Sequence, residues 1–110
     1  MHVVLLKVLP LENEVALIKL IRLYTQKSIS EIRQNLVSGL PVLRVPYSEL
    51  EELKRLRILI GEILSLNAEI QLFLDTEEDE IDIVFLDNTI ISQEETNKYF
   101  ESIDEFNHLD

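Results

Sequence analysis

Ser28-Ile29-Ser30-Glu31 and Ser48-Glu49-Leu50-Glu51 bracket the stretch Leu40-Pro41-Val42-Leu43-Arg44-Val45-Pro46-Tyr47, and these residues together decide the fold. In each serine motif a glutamate follows three residues later. That is the capping-box spacing, in which serine oxygen and glutamate carboxylate each satisfy a free backbone N–H at a helix start. The first box predicts a helix that ends at Gly39, a residue suited to a left-handed cap. The second predicts the longest helix, running to about Leu66 with Asn67 as its stop. Between them, a short β-forming run flanked by prolines reads as an edge strand or an extended link.

The same reading extends toward both ends. His2 to Val8 is a continuous β-branched and leucine run closed by Leu9-Pro10, the pattern of a largely buried strand. From Glu12 to Tyr24, Leu17, Leu20, Ile21 and Tyr24 recur at helical spacing, with Glu12 and Glu14 near the positive end of the helix dipole. Beyond the long helix, Glu69 to Leu74 predicts a partly buried strand, and Asp75 to Glu80 is a charged turn. Ile81 to Leu86 alternates well enough to return as an antiparallel strand, so residues 69–86 predict a hairpin. Ser92-Gln93-Glu94-Glu95 is a third capping box, and Tyr99, Ile103 and Phe106 follow at i, i+4 and i+7, predicting a helix that docks by its aromatic face. No internal repeat or low-complexity segment appears. The fold class is therefore α/β in the broad sense, an α+β sandwich. One domain over residues 1–110 is expected, with a β-α-α-β-α-β core in 1–74 and an acidic strand and helix in 75–110 packed onto it.

Charge separates those two parts. Residues 1–74 hold nine Lys/Arg against eight Asp/Glu, whereas residues 75–110 hold only Lys98 against thirteen Asp/Glu, so one part is near neutral and the other carries −12. An acidic chain is repelled by phosphate, which disfavours nucleic acid and anionic membranes as partners and favours a basic protein. The candidate acidic surface is Asp75, Glu77, Glu78, Asp79 and Glu80. No apolar run approaches the roughly 20 residues that cross a bilayer, and no signal-peptide pattern opens the chain. The absence of cysteine fits a reducing compartment, so a cytoplasmic location is expected.

Catalytic chemistry has little to build on. The two histidines, His2 and His108, lie at opposite ends and neither has a neighbour at ligand spacing. Gly39 and Gly61 cannot form a phosphate-cradling loop, so no nucleotide cofactor is expected. Asp75 to Glu80 lacks the glycine and the spaced glutamate of a calcium loop, so no metal is expected. The predicted first helix is more informative. At 100° per residue, Glu12, Val15, Lys19 and Arg22 share a narrow sector and the rest of the circumference is apolar, so cover on two sides is predicted. Val15, Lys19 and Arg22, bordered by Ile18, then form either a protein-docking face or the solvent edge of a buried helix.

Asn13-x-Val15-Ala16-Leu17-Ile18-Lys19-x-Ile21-Arg22-x-x-Thr25, Ile29-x-Glu31-Ile32-Arg33 with Leu36-Val37, Pro41, and Leu66-Asn67-Ala68-Glu69-Ile70 together resemble the C-terminal domain of the bacterial large-subunit ribosomal stalk protein over about residues 3–74. The resemblance implies a compact α/β fold that recruits translation factors through the apolar and basic face of its first helix. Val15, Ile18, Lys19 and Arg22 stand at the docking positions, with Arg33 as a further member. The family's dimerisation segment and alanine-rich hinge have no counterpart here. Leu20 and Leu23 replace small residues of the first helix, which predicts an added layer over the first or the second helix, with the C-terminal hairpin and helix as candidates to supply it. Stand-alone domains of this kind resemble bacterial accessory proteins, some of them immunity-like.

Three functions stay open at this level: a non-enzymatic protein-binding module facing a basic partner, a translation-associated domain docking factors through the first helix, and a small enzyme. A homodimer through helix faces or the strand around Val42 to Val45 is a further possibility.

Overall fold

Val3–Val8 forms β1 in the computed structural model, which describes residues 2–9 and 14–108 and, in the last helix, side chains as far as Tyr99. Residues alternate across a strand, so Val4, Leu6 and Val8 share one face and Leu5 and Lys7 the other. The chain continues as α1 (Glu14–Thr25), α2 (Ile29–Ser38), β2 (Leu43–Pro46), α3 (Leu50–Ser65), β3 (Ile70–Leu74), β4 (Glu80–Ile81) and α4 (Ile83–His108). The sheet order is β2-β1-β3-β4, with every neighbour antiparallel. This is the α+β class, and the first six elements appear in the predicted order.

β1 is the central strand. It pairs with β2 in the register Val4↔Val45 and Leu6↔Leu43, and with β3 in the register Leu5↔Phe73 and Lys7↔Gln71. Its Val4–Leu6–Val8 face carries the core, built with Val45 and Leu72 from neighbouring strands and Leu17, Ile21, Ile32, Leu36, Leu53, Leu56, Ile60 and Ile63 from the helices. On the opposite face the row Arg44–Leu5–Phe73–Glu80 crosses all four strands. Leu5 and Phe73 are buried at the centre of that row, between charged neighbours whose aliphatic stems can lie over them.

Both ends of α2 and the end of α3 follow the sequence, and the start of α3 departs from it. Ser28 caps α2, its hydroxyl accepting from the Glu31 N–H at 3.1 Å. At the other end Gly39 adopts φ 68°, while Leu40 N–H donates to Asn35 O and Gly39 N–H to Leu36 O, a Schellman pair. α3 stops as predicted, with Asn67 left-handed at φ 65°. It does not begin on the Ser48 box, because Tyr47 N–H is tied to His2 O and Glu49 N–H to Pro46 O. The cap position falls on Glu49, whose side chain makes no capping bond.

The larger correction lies in residues 81–92. The hairpin exists, with Leu72↔Ile81 and Phe73↔Glu80 paired, but β4 ends at Ile81 and residues 83–86 are helical. Asp82 starts the helix: its Oδ1 accepts from Phe85 N–H at 2.8 Å and its backbone carbonyl from Leu86 N–H. Leu86 and Ile90, at i and i+4, then enter the core against α3. The apolar run satisfies the strand and helix periods alike, and the uncovered flank of α3 selects the helix. The Ser92 box therefore lies inside α4 and caps nothing. Of the predicted aromatic face only Tyr99 falls among the described side chains, and it is 65% exposed. Ile103 and Phe106 fall outside the described side chains, as does His108, and Glu12 and Asn13 lie outside the described residues.

Tyr47 fastens α4 to the sheet. Gln93 Nε2 donates to its carbonyl at 2.6 Å, its hydroxyl lies 3.4 Å from Thr89 Oγ1, and its ring meets the His2 ring edge-on at 6.0 Å. Two glycine substitutions test this account of the backbone. A Cβ at Gly39 meets only the Lys7 side chain at ordinary distance, so Gly39→Ala should lose about 1 kcal/mol through its left-handed backbone alone. Gly61, inside α3 with only Arg57 nearby, should gain about 0.5–1 kcal/mol on Gly61→Ala. Urea unfolding should therefore move in opposite directions for the two variants.

Candidate functional site

Among the described residues, no element packs on the outer side of α1. Leu17, Ile18 and Ile21 turn inward, while Val15, Lys19, Arg22 and Leu23 follow at i, i+4, i+7 and i+8 along the exposed side, with Gln26 just past the helix end at φ 57°. Lys19, Arg22, Leu23 and Gln26 line an open concavity of about 700 Å³. Val15 is 59% exposed and Leu23 75%. Among the described residues no carboxylate lies within ion-pair distance of Lys19 or Arg22. Two cations with no carboxylate partner among the described residues, beside two exposed apolar side chains, can offer both charge and desolvation to a partner, on a chain whose net charge is −11.

Three expectations about this face change. Ile18 does not border it, because at 3% exposure it is part of the core between α1 and its neighbours. Arg33, on α2, is not a free member either. Its Nε lies 3.7 Å from Glu14 Oε1, so it ties α2 to the first turn of α1. Nor does the described part of the C-terminal extension cover α1. α4 packs against α3, and Leu23 stays open. Behind the face, the α1–α3 seam holds Tyr24, whose ring lies under the Arg55 guanidinium at 5.8 Å. Loss of solvation and the nearby Glu62 carboxylate push its phenol above its ordinary value.

The acidic group is less uniform than its composition. Asp75 is structural: in a left-handed turn at φ 66°, its Oδ1 accepts from Val3 N–H at 2.8 Å and its Oδ2 lies 2.7 Å from His2 Nδ1. Glu77 reaches Lys7 at 4.0 Å, and Glu80 belongs to β4. Glu78 and Asp79 remain exposed at the tip of a turn closed by Leu74 N–H to Asp79 O. Among the described residues no group of three or more His, Cys, Asp or Glu could hold a metal ion, and no helix is long and apolar enough to cross a membrane.

A second surface was not legible in the sequence. α4 runs antiparallel to α3, which sets Arg57 Nε 2.8 Å from Asp87 Oδ1 and Lys54 Nζ 3.7 Å from Glu94 Oε1. Ile58 and Ile91 stand exposed beside these pairs. A strand over 81–86 would have put Asp87 beyond the end of an extended segment, so no spacing in the sequence could pair it with α3.

The Asp75 clasp gives a pH test. Hydrogen bonding to His2 and to Val3 N–H holds its carboxyl below the usual carboxylate range. A folded-state value below the unfolded one contributes stability above the ordinary carboxylate pKa, and that contribution disappears as pH falls through the lowered value. Asp75→Asn, which tolerates the same left-handed turn, should therefore unfold at lower urea than the parent at pH 7. The gap should close as pH falls below the ordinary carboxylate value of about 4 and through the lowered one; a gap that stays constant with pH would count against the clasp. No family model, curated protein or solved structure matches this chain.

Proposed function

We propose that this chain is a non-enzymatic protein-binding module whose docking face is the outer stripe of α1, taking an acidic and apolar segment of another protein. One observation carries the reading: Lys19 and Arg22 have no carboxylate partner among the described residues and flank the exposed Val15 and Leu23. Structural cations on an acidic chain normally sit beside its carboxylates, as Lys54 and Arg57 do here. The order β1-α1-α2-β2-α3-β3 is the order implied by the stalk-domain resemblance, and three of that family's four docking positions on the first helix, Val15, Lys19 and Arg22, lie on the open stripe. Both facts support translation factors as one partner class.

A second reading places a basic partner on the acidic hairpin, in the manner of an immunity protein. Glu78 and Asp79 favour it, since both are exposed with no cation at ion-pair distance among the described residues. The two readings separate experimentally. A photo-crosslinking residue at Gln26 should capture the partner, and one at Glu78 should not. For the captured protein, Lys19→Glu with Arg22→Glu should weaken binding by about tenfold or more and slow association. An unchanged affinity ends the α1 reading, and loss on Glu78→Lys with Asp79→Lys instead transfers it to the hairpin.

A further inference from the structure

The outer groove between α3 and α4 has a charge pattern unlike the rest of the molecule. Ile90 forms part of an open concavity of about 470 Å³, with Ile58 on the α3 side and Ile91 on the α4 side. These isoleucines are 56% and 54% exposed. Glu51, 3.7 Å from Lys54, and Lys98 on α4 add one charge of each sign beside the groove; one wall carries Lys54 and Arg57, the other Asp87 and Glu94, so the local charge is balanced on a chain of −11. Arg57 meets Asp87 through Nε alone, which leaves its two terminal nitrogens and the second Asp87 oxygen available. All four side chains are between a third and a half exposed.

We propose that this groove is a self-association surface and that its occupant is a second copy of the chain. A strongly acidic molecule meeting its own image is repelled wherever carboxylates dominate, so a copy is best accommodated on a face of zero local charge. The wall pattern adds direction. A two-fold axis running along the groove, parallel to the helices, lays α3 of one protomer over α4 of the other, the isologous arrangement of a closed dimer. Ile58 then meets the other copy's α4 at the Ile91 position, and the Lys54–Arg57 wall meets the Asp87–Glu94 wall. Each ion pair gains a further partner of opposite sign, and four helices enclose the isoleucines. A partner of one sign, acidic or basic, would face repulsion from one wall, and the groove differs in this from the α1 stripe.

Sedimentation velocity on the full chain tests the proposal. The 12.8 kDa chain should shift toward twice its mass as concentration rises, reaching mainly dimer by about 200 µM, as fits a small interface. Ile58→Lys and Ile91→Glu, both at exposed sites and checked for native circular dichroism, should each stay monomeric. Mixed one to one, they should dimerise again, because one of the two symmetric contacts becomes Lys to Glu while the other keeps both isoleucines. Lys19→Glu with Arg22→Glu should leave the dimer intact, so failure of the α1 reading and failure of this one are separate results. A parent chain that remains monomeric throughout, a dimer that survives Ile91→Glu, or variants that do not recover on mixing would each overturn the proposal.

Discussion

Everything in this structure depends on β1 being paired on both sides. Alternation gives its even residues to β2 and its odd residues to β3, so Val4 and Leu6 are locked to Val45 and Leu43 while Leu5 and Lys7 face Phe73 and Gln71 across the other ladder. That double pairing joins residues almost seventy positions apart and sets one apolar face over which the helices can pack. A one-residue slip of β1 would turn Val4, Leu6 and Val8 away from the core and bring Lys7 into it, which is why the register is so strongly specified.

The acidic extension builds on the same strand. Asp75 takes the Val3 N–H at the start of β1, the hairpin adds β4 to the free side of β3, and α4 crosses onto α3. Tyr47 then bonds α4 back to the end of β2, beside His2. The extension is thus held at its first turn and along α4 by contacts to the first strand or its neighbour. Its charge does not prevent this, because the carboxylates that approach the core do so as caps or ion pairs: Asp82 on its own helix, Asp87 on Arg57, Glu94 on Lys54.

The two proposed surfaces follow from how these contacts use up charge. α3 supplies the cations that neutralise α4, so that flank becomes balanced and apolar. α1 is left with cations that no described carboxylate answers. The extension could have lain over α1, and had it done so Lys19 and Arg22 would be the ones neutralised and Leu23 buried. The side of the core on which α4 settles therefore decides which face of the molecule remains open to a partner.

By itself the sequence determined the local structure: the first six elements, the Ser28 cap, the left-handed stops at Gly39 and Asn67, and the stripe of Val15, Lys19 and Arg22, all set by interactions within a few residues of one another. It also showed that residues 75–110 are acidic. Only the tertiary structure decided how they fold. Ile83 to Leu86 fits a strand or a helix equally well, and the choice was made by Asp82 capping and by the open flank of α3. Burial of Ile18, engagement of Arg33 by Glu14, and the Arg57–Asp87 and Lys54–Glu94 pairs were settled at the same level. Each of these depends on what a neighbouring element brings to the contact, and periodicity along one segment carries no information about its neighbour.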